Sequence, residues 1–182
     1  LAQPGTICIV VGGNTWRLAS SFGRLTGLRE TVSTQVRRGD LMYVSFSAGT
    51  VMAGLTVEIC RDLTNEVTAE WGQLTKNGFK LVPFAIRPHN QSKDSRQHGA
   101  WFEGQVASRQ IKDDDNKVIV NCPVIYLRDG EACLFAGTER IMLPDQDAQA
   151  KIAKLTAQRN QGVLSVPSTW SPAVDPVVTT TE

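Results

Sequence analysis

Apolar positions along this chain fall into two kinds of pattern. Short uninterrupted runs, Ile7 to Val11, Leu41 to Val44, Lys80 to Ile86, Val118 to Val120 and Val124 to Leu127, predict strands. Ile7 to Val11 is apolar at every position, which suits a parallel strand covered on both faces. Between the runs, Trp16 to Phe22 and Leu25 to Val36 place apolar residues at helical spacing, and Gly27 divides that region into two helices. Arg37-Arg38-Gly39-Asp40 has basic residues followed by glycine, the pattern of a helix end. Thr50 to Leu55 predicts a short helix, and Ala100 to Gln110 a longer one. Thr56 to Val67 reads as short strand and loop, and Gln91 to Gly99 as polar loop. Asp129-Gly130 reads as a hairpin turn, with Ala132 to Ala136 as the return strand. Strands alternating with helices give the α/β class, with a mostly parallel sheet flanked by helices.

After Pro144 the character changes. Asp145 to Arg159 predicts an Ala/Gln/Lys-rich helix, and Gly162 to Glu182 is a Pro/Ser/Thr/Val stretch that reads as an extended tail. The expected organisation is therefore an α/β domain over residues 1–144 and a helix plus tail over 145–182.

In open α/β sheets, sites form where strands end at their carboxyl sides. Three notable turns fall at such ends: Gly12-Gly13, Ser45-Phe46-Ser47-Ala48-Gly49 and Pro88-His89. The middle one follows a strand and precedes an apolar helix, and its S-x-S-x-G differs from the G-x-S-x-G of a nucleophile elbow only at Ser45. A Cβ at that first position would strain the turn. Taken alone, the pentapeptide reads better as a plain strand–turn–helix with Ser47 as the cap than as an elbow. A serine hydrolase also needs a base and an acid that holds the base. The two histidines are His89, at a strand end, and His98, in the polar loop. His89 is the better placed. Asp62 and Asp129, both in turns, are candidate acids.

Composition narrows the picture mainly by exclusion. Hydrophobic residues make up 41%, charged residues 20%, and the formal net charge is +1, which argues against binding nucleic acid or an acidic membrane through charge. No apolar run reaches membrane-span length. Cys8, Cys60, Cys122 and Cys133 are far apart, each beside apolar residues, and read as buried free thiols in a reducing, cytoplasmic compartment. No zinc-type spacing is present, so no metal site is expected. Asp113-Asp114-Asp115-Asn116 reads as a solvated charged turn. Gly12-Gly13-Asn14-Thr15 lacks the lysine of a phosphate loop and the G-x-G-x-x-G fingerprint, which excludes nucleotide binding.

Four pieces, in order, carry a resemblance to a known family: Gly12-Gly13-Asn14-Thr15-Trp16-Arg17-Leu18, then Ser45-Phe46-Ser47-Ala48-Gly49, then Asn77-Gly78-Phe79 leading to Pro88-His89, then Leu127-Arg128-Asp129-Gly130. The chain resembles the aspartyl dipeptidase (peptidase E) family, serine peptidases of the class I glutamine amidotransferase-like fold, over about residues 5 to 143. The resemblance implies Ser47 as nucleophile and His89 as base. It implies an oxyanion hole from the amides of Gly13, with Gly12, and of Ala48. Asp129 stands where the family usually has a glutamate, and Asp62 matches another acidic position important for activity. Arg96 resembles the arginine that pairs with the substrate's aspartate side chain. No cofactor is implied. The implied substrate is a small peptide with an N-terminal aspartate. Cleavage of aspartate-rich polymers is a further reading. A glutamine amidotransferase does not fit, because Ser47 stands where that chemistry uses cysteine.

The same resemblance frames the alternative. The family carries strands and helices ahead of the Gly-Gly-Asn-Thr turn, and this sequence reaches that turn almost at once. A sheet without them exposes apolar edges. The expectation is an additional N-terminal portion, or another chain covering the edge. With the altered Ser45 and the added tail, it also keeps open an inactive peptidase-like subunit that binds a protein partner through tail or sheet edge.

Overall fold

The computed structural model describes residues 5–61, 75–136, 139–143 and five helical positions between 150 and 157. The 145–182 unit, including the tail, otherwise lies outside the described residues.

The elements run β1 (Thr6–Val10), α1 (Thr15–Arg24), α2 (Leu28–Arg38), β2 (Leu41–Ser45), α3 (Ala48–Ala53), β3 (Ala85–Arg87), α4 (Lys93–Ala107), β4 (Val124–Tyr126), β5 (Ala132–Ala136) and β6 (Glu139–Leu143). β1 pairs with β2 and β3 with β4, both in parallel, while β5 and β6 form an antiparallel pair. The helix ends follow local chemistry. The Asn14 side chain caps α1 by accepting from the Trp16 and Arg17 amides at 3.0 and 3.2 Å. Gly27 (φ 77°) opens α2 and Gly39 (φ 76°) closes it, both left-handed, which only glycine adopts without strain.

Register decides which side of the first ladder is buried. Cys8 lies beside Tyr43, and Ile7 beside Met42. Leu41 and Val10 are buried, and Cys8 and Tyr43 pack on the core with Trp16, Val51, Met52, Ile59, Phe79 and Phe102. Among the described residues the opposite face is not covered as the apolar run suggested: Ile7, Ile9 and Met42 are 57%, 62% and 52% exposed. Alternation along a strand sends neighbours to opposite faces, and only one of them meets the described helices.

Several boundaries differ from the sequence expectation. The run from Lys80 shortens to the three residues of β3, because Lys80 is left-handed (φ 55°) and Pro83 offers no amide to a ladder. Val118 makes only an isolated bridge to Lys112. Ala132–Ala136 is not the return strand of a hairpin with β4. The β4 strand is paired to β3, and β5 pairs instead with β6, a strand the apolar pattern did not mark. The polar stretch before Gly99 is helical: Ser92 caps α4 by accepting from the Ser95 amide at 3.0 Å, which puts His98 within the helix. Residues 58–61 form a short 3-10 turn rather than strand. Asp113 and Asp114 act as more than a solvated turn: Asp113 accepts from the Asp115 and Lys117 amides, and Asp114 from Lys76 and Asn77 and from Arg29. All four cysteines are free, with Cys60 and Cys122 buried and the other two half-buried. Among the described residues, no helix is long and apolar enough to cross a membrane.

Candidate active site

Each strand from β1 to β4 ends in a turn that carries one part of the site. After β1 come Gly12 and Gly13; after β2, Ser47; after β3, His89; after β4, Asp129.

Ser47 occupies a backbone conformation that side chains rarely take, φ 50° and ψ −117°. It stands at the N-cap of α3, but its side chain makes no capping bond. The Oγ lies instead 2.9 Å from His89 Nε2. The plain-cap reading of the pentapeptide is thereby excluded. Packing explains why the turn is built from small residues. A Cβ at Gly49 would stand 2.2 Å from the Val10 carbonyl oxygen, and one at Gly12 would stand 2.9 Å from Ser47 Cβ and 3.3 Å from its Oγ. Ser45 does not strain the turn as expected. It is absent from the left-handed residues, and its hydroxyl lies 3.3 Å from Thr50 Oγ1 in the first turn of α3. The strain sits two residues later, on Ser47 itself. Tyr43 steadies the turn from below, donating its hydroxyl to the Gly49 carbonyl at 2.7 Å.

The amides of Gly49, Thr50 and Val51 bond back to the carbonyls of Phe46 and Ser47. The Ala48 amide is the first of α3, where a helix offers no acceptor of its own. Gly13 is at φ 132° in the neighbouring turn.

His89 is also left-handed (φ 57°), which turns its ring back toward the elbow. Its Nδ1 lies 2.5 Å from Asp129 Oδ1, so Asp129, His89 and Ser47 form one hydrogen-bonded chain. The Asp129 carboxyl is held below the ordinary aspartate value, first by the bond from His89 and then by one from Gln91. The side chains of His89 and Asp129 are 56% and 59% exposed. Two backbone bonds tie their turns together: Leu127 donates to the Arg87 carbonyl and Asn90 to the Leu127 carbonyl, each at 3.0 Å.

The remaining candidates stand apart from this chain. Arg96, in the first turn of α4, is exposed and donates to the Gln91 carbonyl at 3.1 Å. Asp62 lies outside the described residues. His98 lines a cavity of about 370 Å³ with Arg61, Gln97 and Trp101. Among the described residues no cluster of His, Cys, Asp and Glu suits a metal.

Two residues near His89 escaped sequence reading. Arg87 is buried and donates to the Ile59 carbonyl at 3.0 Å, with Cys60 Sγ at 3.3 Å, which fixes β3 two residues before His89. Its only clue was a basic residue directly after an apolar run. Gln91 contacts Asp129, 38 residues away, and nothing local announces that.

The chain is similar to several known proteins. Peptidase E of Streptomyces coelicolor is 32% identical over 142 residues, 77% of this chain and 53% of that protein. A Drosophila melanogaster protein named "Probable alpha-aspartyl dipeptidase" is 28% identical over 140 residues, again 77% of this chain and 54% of the relative. The chain spans about half the length of the curated relatives it matches. A crystal structure from Listeria monocytogenes EGD-e, of a protein assigned to peptidase E, superposes with a TM-score of 0.52 at 23% identity, covering 74% of this chain and 57% of the other, and so shares its fold. The sequence model of peptidase family S51 matches residues 4–143, which hold all four of the turns just described, and the chain belongs to that family.

Proposed function

We propose that this chain carries the catalytic apparatus of a serine-type peptidase acting on short peptides with an N-terminal aspartate. The observation that supports it most is the continuous chain Asp129–His89–Ser47, seated on a left-handed elbow. Family membership supports peptide hydrolysis, and the name of the Drosophila relative supports the aspartyl substrate.

In this reading Ser47 Oγ attacks the scissile carbonyl carbon as His89 Nε2 takes its proton. Asp129 holds His89 in the tautomer that leaves Nε2 able to accept, and stabilises the imidazolium that forms. The oxyanion is received by the amides of Ala48 and Gly13, with Gly12 leaving room beside Ser47. The C–N bond breaks, the imidazolium returns its proton to the leaving amine, and water releases the acyl group by the same route. Arg96 is proposed to receive the substrate's aspartate side chain. One of its five donors already holds the Gln91 carbonyl, and the rest of the fork suits a carboxylate.

The test is Ser47→Ala in the full chain, read by hydrolysis of Asp-X dipeptides and by a fluorophosphonate probe. Hydrolysis falls by on the order of 10⁴-fold or more, and labelling vanishes. Unchanged hydrolysis sinks the mechanism. Absence of labelling in the unmutated chain favours a peptidase-like subunit without activity.

A further inference from the structure

Outside the three-residue chain, one side chain makes two-way contact with it. Gln91 Nε2 donates to Asp129 Oδ2, and the Asp129 amide donates back to Gln91 Oε1 at 3.3 Å. One carboxylate oxygen thus faces His89 and the other faces Gln91. Gln91 is itself fixed from behind, since Arg96 donates to its carbonyl and Ser92, the next residue, caps α4.

We propose that Gln91 is a positioning residue of this site, which clamps Asp129 so that its other oxygen stays on His89. The inference rests on the serine-peptidase reading above.

The need for such a clamp follows from exposure. Asp129 follows the short strand β4 in a surface turn, next to Gly130 at φ 86°. That turn is closed by Glu131, whose carboxylate accepts from the Arg128 amide at 2.8 Å and whose own amide donates to the Arg128 carbonyl at 3.1 Å. Those bonds fix the backbone but leave the Asp129 side chain free to turn about its own bonds. An exposed carboxylate with a single partner exchanges it readily for water. A second partner on the other oxygen removes that rotation. Because Gln91 lies two residues beyond His89, the clamp moves with the base. An amide is suited to the task, because it offers Asp129 a donor and an acceptor at once. Leucine would offer neither, and glutamate would set one carboxylate against another.

The experiment is a double-mutant cycle in the full chain, read by the rate of fluorophosphonate labelling of Ser47 and by kcat and KM for an Asp-X dipeptide. Gln91→Leu lowers the labelling rate and kcat by about tenfold with KM unchanged, the size of one lost charge-assisted contact. Gln91→Glu lowers them further. In an Asp129→Ala background, Gln91→Leu has no additional effect, since nothing remains for it to hold. The inference is overturned if Gln91→Leu leaves labelling unchanged, if its effect falls on KM, if its penalty is the same in both backgrounds, or if Gln91→Glu is as active as the unmutated chain. Ser47→Ala separates the two levels. If it abolishes labelling while the Gln91 variants behave normally, only the clamp fails. If it leaves hydrolysis intact, the underlying reading fails.

Discussion

Ser47 and His89 face each other across 2.9 Å, yet they are held in opposite ways. The elbow is fixed by packing: Ala48, Val51 and Met52 are at most 2% exposed, and Gly49 meets β1 so closely that no side chain fits. The base and its acid are mostly in solvent, and polar contacts from Gln91 and the paired turns hold them. A packed element changes position when volume changes. A hydrogen-bonded surface pair responds to the chemistry of its partners and hardly to volume. The two halves of one site are therefore expected to fail through different kinds of substitution.

Among changes that keep Ser47, the largest effect is expected on the exposed half. Asp129→Asn keeps the shape of the side chain and removes its charge. The tautomer of His89 is then no longer fixed, and kcat falls about 10³-fold with KM little changed. Thermal stability at neutral pH changes little, as at other surface positions. The sign with pH follows from the lowered Asp129 value. Its contribution to stability is fully present above the ordinary aspartate range and disappears as pH falls through the lowered value. The melting temperatures of the two proteins, compared across acid pH, should therefore converge at the bottom of that range. A large loss of stability at neutral pH would show that the turn, not the charge, is what Asp129 supplies.

Next comes the packed half. Gly12→Ala places a methyl group 2.9 Å from Ser47 Cβ, at a position whose own φ is not left-handed. The backbone tolerates alanine there, and the nucleophile has to move. Misplacement on the order of 1 Å costs about 10²-fold in kcat. The check is the labelling rate of Ser47 set against the melting temperature, with the first falling and the second nearly constant. Equal loss of both would mean that Gly12 supports the fold rather than the geometry of Ser47.

The same contrast explains what could be read in the chain before any coordinates. The packed half was legible because its causes are local. Small residues after an apolar run mark an elbow, and Gly27 and Gly39 mark helix ends. Those signals sit within a few residues of their effects. The exposed half depends on pairs far apart in sequence, 40 residues for His89 with Asp129 and 38 for Gln91 with Asp129. Composition and spacing pointed to His89, but Gln91 had no local mark. The misread strand β5 has another origin: its residues suit a strand, but it pairs with the following β6, which the apolar pattern did not mark, and not with β4. Polarity concealed the start of α4, although Ser92 followed by Asp94 in the first turn is a helix-start signal. The covered face expected for Ile7 to Val11 failed because an apolar run shows what a strand tolerates, and not which side finds a neighbour.

The smallest effect falls on a support of the packed half, beneath the elbow. Tyr43 packs its ring edge-on against Phe79, with centroids 5.6 Å apart, while its hydroxyl holds the Gly49 carbonyl. Tyr43→Phe keeps the ring and deletes one bond, which costs about 1 kcal/mol of stability at neutral pH. The elbow stays packed by Ala48, Val51 and Met52, so kcat changes by less than about threefold. The pH dependence gives a second, independent readout. Burial is the main cause that pushes the Tyr43 hydroxyl well above its ordinary value, with Cys8 adding to it. A group that keeps its proton more tightly when folded than when unfolded contributes fully below the unfolded value, which for tyrosine is about 10, and loses that contribution above it. Above pH ~10 the unmutated chain therefore loses about 1.4 kcal/mol per pH unit from this group, and the phenylalanine variant loses none of it. The stability gap measured by urea unfolding should narrow through pH 10 and close near pH ~11. A gap that stays constant across that range would mean that Tyr43 is not held in its neutral form by burial, and that solvent reaches the underside of the elbow.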